Sequence, residues 1–123
     1  MSFVKFQGVA IIMNRLFLIL VVLFSSHLYA SGYVGSEFTS ISFVTSYNQY
    51  GPGDVAFKIK TPISQCPDGY WITKADPGFQ ANLSMLIAAF QAKSNVRIYG
   101  LPSQKWAGSS GTFCKLYSIE YHE

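Results

Sequence analysis

The chain has 123 residues, half of them hydrophobic, and its nine basic and six acidic side chains give a formal net charge of +3. This length allows one domain, and so small a basic excess argues against the clustered basic face that nucleic-acid binding needs. With two cysteines, the chain also lacks the usual ligand set of a structural zinc site.

Residues 1–30 have the layout of a signal peptide. Arg15 precedes an unbroken apolar run over residues 16–24, and Ser25, Ser26, His27, Leu28 and Tyr29 then lead to the small residue Ala30. A positive region, a short apolar core and a small residue before the cut are typical of export signals. The run is shorter than the ~20 apolar residues of a spanning helix, so we predict no stable membrane anchor. Met13 is the alternative true start of the chain.

Cleavage would leave residues 31–123 as a single domain, a size at which a hydrophobic core alone stabilises only marginally. It would also remove Lys5 and Arg15, so basic and acidic side chains nearly balance and we expect no nucleic-acid partner. Cys66 and Cys114 both lie in this domain, and export to the periplasm or the medium places them where pairing is expected. We predict that they form a disulfide, which the chain-entropy model values at ~4 kcal/mol.

The first part of the domain predicts three strands. Residues 31–37 are small and irregular, as expected of a loose terminus. Alternating side chains predict strand one over residues 38–46 and strand two over residues 54–60, with turn-forming Tyr, Asn, Gly and Pro residues between them. After a Pro-Asp-Gly turn, the aromatic and β-branched residues 70–73 predict strand three.

A single helix is predicted after strand three. Asp76 and Pro77 favour the N-cap and the first helical position, and we expect the helix to run to about Lys93. Its apolar stripe has helical spacing and comprises Phe79, Leu83, Leu86, Ile87 and Phe90. Asn95 is expected to end the helix in the left-handed conformation.

Two further strands complete the predicted fold. Residues 96–99 predict strand four and residues 113–121 strand five, joined by a long Gly-, Ser- and Pro-rich loop over residues 100–111. A mainly β (α+β) chain with one helix between strands three and four fits a five-stranded OB-fold-like barrel. The alternative is an open antiparallel sheet with the helix packed on one face.

The second half of the domain has a distinctive order of motifs. Cys66, Tyr-Trp-Ile-Thr at 70–73, an Ala-rich helix, Val-Arg-Ile-Tyr-Gly at 96–100 and Cys114 follow one another. This layout resembles that of small uncharacterised exported bacterial proteins. Residues 83–99 are also similar to the B subunit of subtilase-type AB toxins. The second resemblance implies an OB-fold, a pentameric ring and binding of sialylated cell-surface glycans.

Catalytic residue types stand in positions that favour structural roles. His122 is the only histidine after the leader, and it is the penultimate residue, where chains are often mobile. Asp54, Asp68 and Asp76 all occur in turns, where aspartate caps the backbone. We therefore predict a protein that is not an enzyme and that uses no cofactor or metal.

Aromatic side chains in two loops predict a ligand-binding surface. Tyr47 and Tyr50 flank the turn between strands one and two, and Trp106 lies beside Lys105 in the long loop. OB-folds bind ligands with the loops that join strands one to two and four to five. We therefore expect Tyr47, Tyr50 and Trp106 to form a shared rim for a glycan or a protein surface. Trp71, within a short strand, is predicted to be core.

The helix carries an uncharged face that predicts self-association. Ser84, Ala88 and Gln91 lie outside its apolar stripe, and small residues allow close approach of another element. A homo-oligomer is expected on this basis, unless alanine serves here only as a good helix former. The function predicted overall is an exported noncatalytic binding module, similar to a carbohydrate-binding toxin B subunit. The alternative is an envelope structural or inhibitor-like interaction protein of unknown partner.

Overall fold

The computed structural model describes residues 32–123, so the predicted signal peptide at 1–30 lies outside the described residues. Six strands and one helix form: β1 (Val34–Gly35), β2 (Ile41–Ser46), β3 (Val55–Ile59), β4 (Gly69–Ile72), α1 (Phe79–Ala92), β5 (Val96–Lys105) and β6 (Phe113–Tyr121). Within this described part of the chain, no helix has both the length and the apolar character to cross a membrane.

The strands form one mixed sheet in the order β1-β5-β6-β4-β3-β2. Neighbours are antiparallel except β4 and β6, which run parallel because α1 and β5 carry the chain back between them. The fold is therefore mainly β with one helix. The predicted five-stranded barrel is not confirmed, since six strands form and β1 and β2 stand at opposite ends of a sheet that is not closed. The alternative of an open sheet with the helix fits, although one strand pair is parallel.

The segment predicted as strand one is irregular. It forms β2 and an isolated bridge at Thr39, while β1 forms in the stretch expected to be loose. The register of β2 on β3 shifts between Ile41 and Phe43. Because an extra residue moves the following side chains to the opposite face, Ile41 is buried and Val44 packs on the core, whereas Phe43 is exposed. The predicted alternation through Phe43 is wrong for this reason.

The helix begins later than predicted, at Phe79, and its ends are capped by other residues. Gly78 takes the N-cap position without a side-chain hydrogen bond. Asp76 instead accepts a hydrogen bond from the Thr73 amide at 3.0 Å, which ties the end of β4 to the segment before the helix. At the other end, Lys93 rather than Asn95 is left-handed, with φ of 54°.

β5 is longer than predicted. It runs through Lys105 and so takes up the first part of the loop expected at residues 100–111. Register shifts in its pairing with β6 accommodate Gly100 and Pro102, and proline is tolerated at such irregularities because it donates nothing to the ladder. Trp106 therefore follows directly from a strand end instead of lying within a long loop.

The core packs α1 against one face of the sheet. The buried residues of the helix are Phe79, Leu86 and Ala89, and those of the strands include Ile41, Phe57, Tyr70, Ile72, Ile98 and Ile119. The predicted disulfide between Cys66 and Cys114 is present, with the two Cα atoms 5.5 Å apart, and both cysteines are fully buried in this core. It joins the loop before β4 to β6 and so crosses the part of the chain that contains α1.

Candidate ligand-binding site

The turn between β2 and β3 lies against the residue that follows β5. The ring centroids of Tyr47 and Tyr50 are 5.4 and 5.7 Å from that of Trp106. The two tyrosine rings are 6.3 Å from each other. The structure thus brings together the three side chains that the sequence places in one rim, while their binding of a ligand stays a prediction.

Glycines and backbone hydrogen bonds shape the β2–β3 turn. The amide of Tyr47 donates to the carbonyl of Asp54 at 2.8 Å, and the amides of Gly53 and Asp54 both donate to the carbonyl of Tyr50. Gly51 and Gly53 have φ of 58° and 101°, values that glycine adopts without the cost of a Cβ clash. The turn therefore fixes the backbone of both tyrosines.

Trp106 is the buried floor of the aromatic cluster. Its indole Nε1 donates to Asp54 Oδ2 at 2.9 Å, and its ring meets that of Phe113 edge to face at 5.4 Å. Only 5% of Trp106 is exposed, against 41% of Tyr47 and 39% of Tyr50. A ligand on this surface would therefore contact the tyrosines first, with Trp106 as rigid support beneath them.

A pocket of about 420 Å³ opens beside this cluster. That volume lies within the range of small-molecule sites. Its lining comes from the β2–β3 turn, the end of β4 and the segment around the end of β5, and comprises Tyr50, Gly51, Pro52, Asp54, Trp71, Thr73, Ala75, Lys105, Trp106 and Ala107. Aromatic and apolar groups dominate this lining, and its charged residues are Asp54 and Lys105.

Trp71, predicted to be core, is half-buried and lines the pocket. Its Nε1 donates to the carbonyl of Gln104 at 2.9 Å, and Lys115 Nζ lies 3.9 Å from its ring centroid. Lys115 also pairs with Asp76 across 2.7 Å. Because Lys115 stands opposite Trp71 in the parallel β4–β6 pair, this contact depends on a strand pairing that spacing along the sequence does not reveal.

Two buried polar atoms of the lining residues have no hydrogen-bond partner in the protein. They are Asp54 Oδ1 and Thr73 Oγ1, in residues that are 4% and 7% exposed. Leaving such an atom unpaired costs about 1–3 kcal/mol, and polar groups at an aromatic pocket are typical of ligand sites. Asp54 was predicted to serve only the turn. Its burial and its bond to Trp106 arise from the approach of β5, which the local sequence does not encode.

A third unpaired polar atom, the hydroxyl oxygen of Tyr70, belongs to the core. Tyr70 is fully buried and stacks on Phe57 with centroids 5.4 Å apart. Burial raises the pKa of Tyr70 to about 12 because removal from water penalises the charged phenolate. At neutral pH this residue is an uncharged part of the scaffold beneath the sheet, away from the lining of the pocket.

The helix face predicted to mediate self-association is exposed. Ser84, Ala88 and Gln91 all lie on the surface, and Ser84 Oγ donates to the carbonyl of Gln80 within the helix. Ile87, predicted to be core, is 48% exposed on the same helix. The helix therefore presents Ile87 among small uncharged residues on its surface. The sequence pattern had assigned Ile87 to the buried stripe.

The remaining predicted polar residues lie apart from the pocket. His122 Nε2 is 3.4 Å from Glu120 Oε2 near the C terminus, and both side chains are exposed. Asp68 accepts a hydrogen bond from the amide of Thr112 and so ties the turn before β4 to the start of β6. Across residues 32–123, no three His, Cys, Asp or Glu side chains are grouped as metal ligands.

The chain matches no protein-family model, no curated protein and no solved structure. Its function is therefore inferred from the aromatic pocket and the polar atoms in its wall.

Proposed function

We propose that the chain is an exported, noncatalytic module that binds carbohydrate in the pocket between Tyr50, Trp71 and Trp106. The observation that carries the proposal is the combination of aromatic walls with two unpaired polar atoms, Asp54 Oδ1 and Thr73 Oγ1. A sugar ring has C–H faces that pack on aromatic rings, and its hydroxyls pair with carboxylate and hydroxyl oxygens. The pocket offers both kinds of partner.

Binding is expected to include a small movement of the β2–β3 turn. The unpaired oxygens of Asp54 and Thr73 are both covered from solvent. A Cβ placed on Gly51 would lie 2.7 Å from Asp54 Oδ1, so the main chain of the turn lies close over the carboxylate. Glycine at positions 51 and 53 permits the turn to shift without strain from side chains.

The strand pairing supports an OB-like strand order, with a first strand divided into β1 and β2, as the finer description of this open sheet. β1 pairs with β5 while β2 pairs with β3, so consecutive segments contact opposite ends of the strand order. The Thr39–Val96 bridge and the bond from the Lys60 amide to the Ser40 carbonyl lie at the junction. Slow hydrogen exchange at Thr39 and Lys60, comparable with that of β6, would support a divided strand that stays paired on both sides of its junction. Exchange at the rate of a free strand edge would contradict it.

The exposed helix face supports a homo-oligomer, as in a toxin B subunit. Ile87 stands on the same helix surface as Ser84, Ala88 and Gln91, and an exposed apolar side chain among small residues is typical of association surfaces. Sedimentation equilibrium should show an assembly that Ile87→Glu dissociates, whereas Lys93→Glu should leave it intact. A wild-type monomer at high micromolar concentration would contradict this part of the proposal.

A protein partner is the second candidate, because the domain has another aromatic surface, the tyrosine patch of Tyr33, Tyr99 and Tyr117. Tyr33 and Tyr117 stack with centroids 4.5 Å apart and are 51% and 54% exposed. The Arg97 guanidinium lies 5.2 Å from the Tyr99 ring. Exposed tyrosine beside arginine is typical of protein interfaces. This patch supports the alternative function, an envelope interaction protein. The disulfide is compatible with the oxidising location that either function requires.

A matched pair of tyrosine variants separates the two functions. The purified domain is screened on a glycan array, and the best ligand is titrated against Tyr50→Ala and Tyr117→Ala. Carbohydrate binding in the pocket predicts that Tyr50→Ala weakens affinity about tenfold, since one aromatic contact is worth roughly that much. Tyr117→Ala should leave the affinity unchanged. Binding that survives Tyr50→Ala but is lost in Tyr117→Ala would assign the ligand to the tyrosine patch instead.

A further inference from the structure

We infer that the pocket selects sugars without an acidic group, in the order amino sugar, neutral sugar, acidic sugar. This inference rests on the proposed carbohydrate function and specifies its ligand class. It follows from the charge built into the wall of the pocket. It also differs from the sialylated, and therefore acidic, glycans that the toxin resemblance implies.

The carboxylate of Asp54 has a hydrogen-bond donor but no cation beside it. Its side chain is almost completely buried, and one carboxylate oxygen is held by the neutral indole of Trp106 at 2.9 Å. The other oxygen has no partner. Among the residues that the structure describes, the ion pairs are Lys115–Asp76 and His122–Glu120, so no cation compensates Asp54. A carboxylate that accepts a hydrogen bond from an indole N–H and has no cation beside it leaves negative potential in the wall of the pocket.

Three lysines lie near the pocket, and Lys74, between the lining residues Thr73 and Ala75, is exposed to water and salt. Lys115 lies over the ring of Trp71, and its charge is compensated by Asp76 at 2.7 Å. Lys105 lines the pocket with an exposed side chain, which water and salt screen. The charge that is both buried and uncompensated is therefore the carboxylate of Asp54.

The negative charge of Asp54 discriminates between ligands by their own charge. A carboxylated sugar would bring a like charge close to Asp54 in a site that is poorly screened, and such juxtaposition disfavours binding. A hydroxyl meets no such repulsion. A protonated amine gains from the same carboxylate and from the faces of the aromatic rings around it. The effect acts through space, so it holds whether or not the turn at Gly51 moves far enough for direct contact.

The test is a comparison of three methyl galactosides that differ in one group: the 2-amino sugar, the neutral sugar and the uronic acid. Each is titrated into the wild-type domain by NMR at low ionic strength. Asp54→Asn removes the charge and keeps an oxygen that can accept from Trp106, and Glu120→Gln removes a carboxylate that does not line the pocket as a matched control. The wild type should bind the amino sugar roughly tenfold or more tighter than the uronic acid.

Asp54→Asn should remove most of this preference, and Glu120→Gln should retain it. Equal or tighter binding of the uronic acid by the wild type would overturn the inference, as would an unchanged preference in a folded Asp54→Asn. In both cases the carbohydrate function itself would survive, because sugar is still bound. If none of the three sugars binds the wild type and no glycan on the array is bound, the proposed function and this inference are both overturned. The wild-type ranking decides the question even if Asp54→Asn does not fold.

Discussion

The pocket and the tyrosine patch are both aromatic surfaces, yet their construction differs. In the pocket, a buried Trp106 supports Tyr47 and Tyr50, and the carboxylate of Asp54, with one oxygen unpaired, lies behind the rings. In the patch, Tyr33 and Tyr117 stack on each other, each about half exposed. A count of aromatic residues does not distinguish these surfaces. The support beneath the rings and the polar atoms behind them do, and on this difference rests our proposal of a small ligand in the pocket, with the patch as the surface suited to a macromolecular partner.

The largest expected effect would remove the basis of both surfaces at once. Replacing both Cys66 and Cys114 by serine should lower the free energy of unfolding by about 4 kcal/mol, because the crosslink no longer restrains the unfolded chain. Urea denaturation of the purified variant measures this loss. A reduced wild type with two free thiols and an unchanged midpoint would show that the disulfide does not stabilise the domain.

Truncation of the pocket floor should separate the two surfaces by stability. Trp106→Ala should cost about 3 kcal/mol, since it opens a cavity beneath the tyrosines and strips Asp54 of its hydrogen-bond donor. Tyr117→Ala in the patch should change stability by about 0.5 kcal/mol or less. Chemical denaturation of the two variants gives the comparison. Equal costs would mean that Trp106 does not support the pocket as its burial indicates.

The core tyrosine gives a third environment and a dependence on pH. Because the pKa of Tyr70 is raised from 10.0 to about 12, the unfolded chain loses this proton first. The contribution of Tyr70 to the free energy of unfolding should therefore be fully present below pH 10 and should be lost as the pH rises from 10 to 12. The loss should amount to roughly 2–3 kcal/mol. Tyr70→Phe should remove this part of the fall. An alkaline profile identical in wild type and Tyr70→Phe would show that the hydroxyl is not desolvated.

The smallest effect concerns the wall of the pocket. Lys115→Met should destabilise the domain by about 1 kcal/mol, because it removes both the cation–π contact with the Trp71 ring and the ion pair with the partly buried Asp76. It should also shift the indole N–H resonance of Trp71 more than that of Trp106. Lys58→Met is the control for the Trp71 resonance, since Lys58 lies 5.4 Å from the ring centroid of Phe43 and 6.0 Å from that of Phe113, and over neither indole. A larger shift in the control would indicate that Lys115 does not orient Trp71.

Local pattern was sufficient for some elements of the fold. The boundaries of β6 match the prediction and those of β3 nearly do, because both have residue types that suit strands and lie between turn residues. The disulfide was predicted from the number of cysteines and from the expected export of the chain. β1 and the second half of β5 were missed because their pairing partners are distant in sequence, and Gly100 and Pro102 in β5 are typical of loops. The bulge near Phe43 reversed an alternation that looked regular.

For the site, the sequence predicted the meeting of Tyr47, Tyr50 and Trp106 through loop position. It did not predict the contributions of Asp54 and Trp71. The sequence around Asp54 is typical of a turn. Its burial depends on the indole of Trp106, which follows the end of β5. Trp71 was assigned to the core because it lies between Tyr70 and Ile72 in a short strand. It instead packs on the opposite face of the sheet, against the smaller cluster that contains Trp106.

The most direct measurement uses the two tryptophans of the chain as reporters of the pocket. The proposed site predicts that addition of a bound methyl glycoside shifts both indole N–H resonances, of Trp71 and Trp106, in proportion to occupancy. The amides of Tyr33 and Tyr117 in the patch should stay unchanged in the same titration. Saturable binding that shifts the patch amides and leaves both indole resonances in place would contradict the assignment of the pocket as the ligand site.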